Sequence, residues 1–222
     1  MPNKIPLPIL RSVKNAKFLW IARYASVFAR HNWGGLKKVA RQAGRAGISS
    51  RELYELTLQG YLFLGFPAVI EALGALDGIV LPAKKGSEPS VFLRVKKGRQ
   101  TCRRIYREKF PALMENLSRK SPALAGWVIE EGYGKVLSRA GASLRLRELF
   151  SAALLSATGF SKQLFAHLRA LVALGEKPEA LEFLVKEASR ALPAGRRGKV
   201  GQALKLLHGH KNTVWEAPVF SL

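Results

Sequence analysis

The two halves of the chain align on each other without gaps at an offset of 128 residues over their central part, and this self-similarity narrows the choice of fold more than any other feature. Leu36 pairs with Leu164, Arg41 with Arg169, Gly47 with Gly175, Leu53 with Leu181 and Leu56 with Leu184. Apolar residues recur at helical spacing on both sides of the two matched glycines, so each copy reads as helix, glycine stop, helix. Chance matching of leucine-rich helices accounts for the leucines but not for a glycine stop held in register between them. The expectation is an all-α chain of two tandem helical-hairpin repeats produced by internal duplication.

Local signals agree. Ser49 followed by Glu52 forms a capping box that opens a helix through Leu53, Leu56 and Leu58. In the second half Ser143 caps a helix to about Ser156, Thr158-Gly159 turns the chain, and a second helix runs from about Ser161 to Leu174 before Gly175 stops it. Two helices joined by so short a loop should pack antiparallel. Between the halves, Pro82, Gly86, Pro89 and Gly98 break the helical pattern, and Lys84, Lys85, Arg94, Lys96, Lys97, Arg99, Arg103 and Arg104 crowd the same span. Residues 82–107 therefore read as an exposed basic linker with a short strand-like piece at Val91 to Val95. It would separate a first repeat, 1–81, from a second, 108–222.

Composition bounds the rest. At 222 residues and 48% hydrophobic content the chain can bury a sizeable core. The longest apolar stretch, Gly60 to Ile70, is too short to span a bilayer and contains Pro67, so no membrane span is expected. No secretory signal is read at the N-terminus, and a single cysteine, Cys102, in the basic linker fits a reducing cytoplasm and allows no cysteine-based metal cluster. The formal charge of +22 is unevenly spread: residues 1–120 carry a net +16 and residues 121–222 a net +6. Such a field attracts nucleic acid, anionic membranes or small anionic substrates without choosing among them.

Glu148 and His167 are the candidate catalytic residues. They lie nearly equidistant from the turn at Ala157 to Gly159, which sets them level across the helix pair. His167 shares the core-facing stripe with Leu164, Leu168 and Leu171. A half-buried imidazole beside a carboxylate can act as a general acid and base near neutral pH. The same spacing also describes a core histidine paired with a buried acid to satisfy its polarity. Arg145, Arg147 and Arg169 are candidates for holding a substrate carboxylate, against a plain reading as solvated helix charges. His208 and His210, two apart, do not share a helix face, and no metal or other cofactor is expected. Gly134-Lys135-Val136 lacks the hydroxyl residue of a phosphate-binding loop.

The run Tyr133-Gly134-Lys135-Val136-Leu137-Ser138-Arg139-Ala140-Gly141, with Leu144, Arg147-Glu148-Leu149, Leu164, His167 and Gly175, resembles the N-terminal and central part of carboxymuconolactone decarboxylase-like domains of the alkylhydroperoxidase-D-like superfamily. Gly47-Ile48-Ser49 with Glu52 and Glu55, then Gly65-Phe66-Pro67, resembles the closing helices of the same domain. The resemblance implies an all-helical homo-oligomer in which the acid and the histidine occupy the places of Glu148 and His167. It implies either decarboxylation of an unsaturated lactone acid or disulfide chemistry on a Cys-x-x-Cys pair. The second does not fit, because the cysteine places fall on Phe160 and Gln163.

The pattern is divided between the halves. The first has Trp20 and Val39 where the second has Glu148 and His167, and after Leu192 the second reads Pro-Ala-Gly-Arg-Arg-Gly instead of a Gly-x-Pro helix. The expectation is a cysteine-independent lyase acting on a small cyclic carboxylate, if the chain is an enzyme at all. Two alternatives stand beside it. One is a basic protein binding nucleic acid through non-specific charge, supported by aromatics such as Trp20, Tyr24, Phe28, Trp33 and Tyr106 among Lys and Arg. The other is a non-catalytic assembly scaffold, with Tyr61 to Ile70 as a subunit interface.

Overall fold

The computed structural model describes residues 13–82 and 88–209. Among these the chain is all-helical, with no strand. The helices are α1 (Val13–Ala29), α2 (Trp33–Ala40), α3 (Ser50–Gln59), α4 (Tyr61–Ala75), α5 (Val91–Tyr106), α6 (Phe110–Lys120), α7 (Pro122–Trp127), a π-helix (Val128–Leu137), α8 (Leu144–Thr158), α9 (Ser161–Ala173), α10 (Pro178–Ala188) and α11 (Ala194–Gly209). Among the described residues they fall into two compact units: 13–82 with 141–205, and 88–140 with 206–209.

The caps read from the sequence are present. Ser49 and Glu52 close the capping box of α3 reciprocally, and Ser143 accepts from the backbone N–H of Leu146 at the start of α8. Each satisfies an N–H that the first helical turn leaves without a partner. Gly47 and Gly175 both adopt the left-handed conformation, at φ 68° and 90°, which a side chain would resist. The offset that aligns these glycines also carries the spans of α1 to α4 onto those of α8 to α11, with ends that differ by up to six residues. The paired leucines of both halves are fully or almost fully buried.

In the first unit α8 is the central element. Every residue from Leu146 to Ala157 is buried, which for a helix means neighbours on all sides rather than along one stripe. Helices α1, α9 and α10 pack against it. Around it Tyr24 stacks on Trp20 at 4.9 Å, lies 5.8 Å from Phe150 and hydrogen-bonds the Thr57 hydroxyl at 2.7 Å. Burial raises the Tyr24 phenol above its ordinary pKa, so it stays neutral. Helix α4 is broken at Gly65 (φ 82°, ψ 168°), just before Pro67. No described helix is long and apolar enough by itself to cross a membrane; α3 and α4 pass that test only together, bent by 115°.

The second unit corrects the reading of 82–107 as an open linker. Ser90 caps α5, and the residues from Val91 to Tyr106 are helical, the strand-like piece included. Gly98, read as a breaker, belongs to a helix crossing and is not a loop residue. A Cβ on Gly98 would stand 2.0 Å from the carbonyl oxygen of Ile129, and one on Gly134 would stand 2.1 Å from that of Arg94. The two helices therefore meet backbone to backbone, at a distance only glycine permits. Cys102 is likewise fully buried on α5 rather than exposed. Arg94 ties the same pair together, bonding Glu130 at 2.7 Å and the Pro89 carbonyl at 2.8 Å, and the Glu130 carboxylate holds its guanidinium charged more firmly than usual.

Gly98→Ala is expected to lower unfolding free energy by about 1–3 kcal/mol in chemical denaturation, the range for forcing extra atoms into a packed contact. Gly126→Ala, where an added Cβ meets nothing within 4 Å, is expected not to destabilise.

Candidate functional site

Because α8 is buried all round, each polar side chain on it must find a partner inside the protein. Arg147, Glu148, Ser151 and Ser156 are all fully buried. Ser156 turns back to the carbonyl of Ala152 at 2.7 Å on its own helix. The other three are met by side chains from neighbouring helices.

Glu148 is met by His167 of α9. Gly159, left-handed at φ 85°, ends α8, and its N–H and that of Phe160 both bond the Leu155 carbonyl, so α9 starts within two residues and returns alongside. This brings His167 Nδ1 to 2.7 Å from Glu148 Oε2. The Glu148 side chain is fully buried, whereas that of His167 keeps 14% exposure and lies edge-on to Phe63 with ring centroids 6.4 Å apart. The second carboxylate oxygen, Glu148 Oε1, is buried without any hydrogen-bond partner. A buried oxygen without a partner carries a desolvation cost, and Gln59 Oε1 in the neighbouring Arg147 cluster is buried in the same way.

The α1–α2 pair is bridged differently. Trp20 of α1 and Val39 of α2 stand at the places of Glu148 and His167, and the Trp20 indole N–H donates to the Val39 carbonyl at 2.9 Å. The two helix pairs thus share a side-chain bond between matching positions, but only one of these bonds joins ionisable groups.

The three arginines have other partners. Arg147, read as a substrate ligand or a solvated charge, has its guanidinium fully buried and bonded to Glu55 Oε2 of α3 at 2.9 Å. Gln59 of α3 adds bonds to the Arg147 carbonyl at 2.8 Å and to the Ser151 hydroxyl at 2.9 Å. Glu55 and Gln59 were missed in the sequence as functional partners of Arg147; their i, i+4 spacing on a helix with a strong start signal was the available clue. Arg145 pairs with Glu176, which holds its guanidinium charged more firmly than usual. Both line a small cavity of about 130 Å³ together with Lys17, Phe18, Ser143, Leu146 and Leu149. Arg169 lies over the Phe165 ring at 5.7 Å, and, two positions beyond His167, it projects from nearly the opposite side of α9.

Among the described residues no group of three or more His, Cys, Asp and Glu is placed to hold a metal ion. His208 ends α11, and His210 lies outside the described residues. Phe160 and Gln163, at the places where the resemblance puts redox cysteines, are both exposed.

Removing one member of the Glu55–Arg147 pair leaves an uncompensated charge in the core, so Glu55→Ala is expected to cost about 3–5 kcal/mol of stability in denaturant unfolding. Replacing both partners, as Glu55→Leu with Arg147→Met, is expected to recover most of that loss. The chain matches no protein-family model and no characterised protein in sequence comparison.

Proposed function

We propose that the chain is a carboxymuconolactone decarboxylase-like protein of the alkylhydroperoxidase-D-like superfamily, duplicated in one polypeptide, whose second hairpin carries a thiol-free acid/base centre. The observation that carries this reading is the 2.7 Å contact between His167 Nδ1 and Glu148 Oε2, with the acid sealed and the imidazole reaching the surface. The matching order of helices at the offset of 128 and the two left-handed glycines support the duplication.

In this reading the substrate is a small cyclic carboxylate bearing an unsaturated lactone. The bond from ring carbon to carboxylate breaks, carbon dioxide leaves, and the electron pair passes into the conjugated lactone. His167 then gives its Nε2 proton to carbon, while Glu148 accepts from Nδ1–H and fixes the orientation of the ring. Solvent returns the proton to the imidazole. With Arg145 and Arg147 held by Glu176 and Glu55, attraction of the anion rests on the field of a chain with formal charge +22.

The test is release of carbon dioxide from a panel of unsaturated lactone acids, run beside thermal shift with the same compounds. The wild type should be stabilised by its substrate and turn it over. Glu148→Gln, which keeps the volume of the acid, should fold and lose about 10²–10⁴-fold in rate, the usual share of a positioned acid or base. His167→Ala should lose turnover altogether. Turnover that survives His167→Ala, or the lack of both stabilisation and turnover across the panel, would sink this assignment.

A further inference from the structure

The second compact unit carries a surface that the acid/base centre does not use. Helix α5 presents Lys96, Lys97, Arg99, Arg103 and Arg104, and Arg107 follows just past its C-terminal end, all exposed. At 100° per residue the five on the helix occupy roughly half of its circumference and extend over roughly 12 Å of its length. None of the six has an ion-pair partner among the described residues; Arg103 lies over the Phe110 ring at 5.2 Å. The nearby acids are largely committed, Glu130 to Arg94 and Glu131 to Lys135, leaving Glu108 beyond the end of the helix. Six like charges held side by side repel one another, and a polyanion laid along them relieves that repulsion.

Aromatic rings flank the same face. Phe92, 74% exposed, begins a stripe that continues through Lys96, Arg99 and Arg103 at i+4, i+7 and i+11. Arg99 also lines an open groove of about 470 Å³ whose other walls include Met114, Pro122 and Trp127, the last 62% exposed. A cationic track beside a groove with an exposed indole is how proteins hold single-stranded nucleic acid, through phosphates on one side and stacked bases on the other. An anionic membrane fits less well. A helix that lies in a bilayer surface inserts a continuous apolar face, and the apolar side of α5 is locked against the π-helix through Gly98 and Gly134.

We propose that the α5 face and the Trp127 groove bind single-stranded nucleic acid, the cations taking the phosphodiester backbone and Trp127 stacking on a base. The site stands on the second unit alone and does not depend on the reaction assigned to Glu148 and His167.

The experiment is fluorescence anisotropy of a fluorescein-labelled oligothymidine titrated with the full chain at several salt concentrations. Changing Lys96, Lys97, Arg99 and Arg104 to Gln should weaken binding at least about tenfold and flatten the log–log salt dependence by about 0.7 for each phosphate no longer neutralised. Changing Lys37, Lys38, Arg41 and Arg45 to Gln removes the same charge from exposed positions of the first unit and should cost much less. Trp127→Ala should weaken binding about tenfold with the salt slope unchanged, as removal of one stacking partner does. Equal weakening by the two fourfold variants, or no effect of Trp127→Ala, would overturn the proposal in favour of diffuse charge attraction. Tighter binding to duplex of the same length or to phosphatidylserine vesicles than to the single strand would overturn it as well.

Discussion

The first unit depends on one constraint: from Leu146 to Ala157, α8 has no solvent face. A helix buried on every side and built of Leu, Ala and Phe alone would pack without specifying which neighbour belongs where. Its polar residues supply that information, because each is stable in the core only against a particular partner. Glu55 and Gln59 fix α3 against the first turns of α8 through Arg147 and Ser151, and His167 fixes α9 through Glu148. These bonds contribute less to net stability than to choosing one arrangement, since buried ion pairs return little beyond their desolvation while mispaired ones cost several kcal/mol. The candidate acid/base pair is therefore part of the framework of the core, and only the exposed edge of His167 separates its role from that of the Arg147–Glu55 pair.

Much of the helical layout was legible in the sequence because its signals are local. Caps at Ser49 and Ser143, the turn at Gly159 and the stops at Gly47 and Gly175 act within four residues of themselves. Counting outward from a short turn also set Glu148 opposite His167. Arg147 was not legible in the same way. Its partner lies 92 positions away on a helix whose packing against α8 no local pattern reveals, and an arginine beside a glutamate on a helix reads as surface charge by default.

The stretch 91–106 shows the opposite failure. Its charge density and Gly98 both argued for a loop, and each had a different cause. The charges line the exposed side of a helix, and the glycine is the contact point of its buried side with the π-helix. Glycine lowers helix propensity by up to about 1 kcal/mol, but a close crossing recovers that through packing of the flanking residues. Sequence reasoning that treats glycine only as a breaker cannot separate the two cases until a second glycine, here Gly134, is known to face it.

The Trp20–Val39 bond gives the molecule an internal reference. Two helix pairs of one compact unit, α1 with α2 and α8 with α9, are bridged at positions 128 apart, one by an indole donating to a backbone carbonyl and the other by a carboxylate and an imidazole. The first contains no ionisable group. Bridging such a helix pair therefore does not require an ionisable contact, and of the two bridges only the second brings an ionisable side chain, that of His167, partly to the surface.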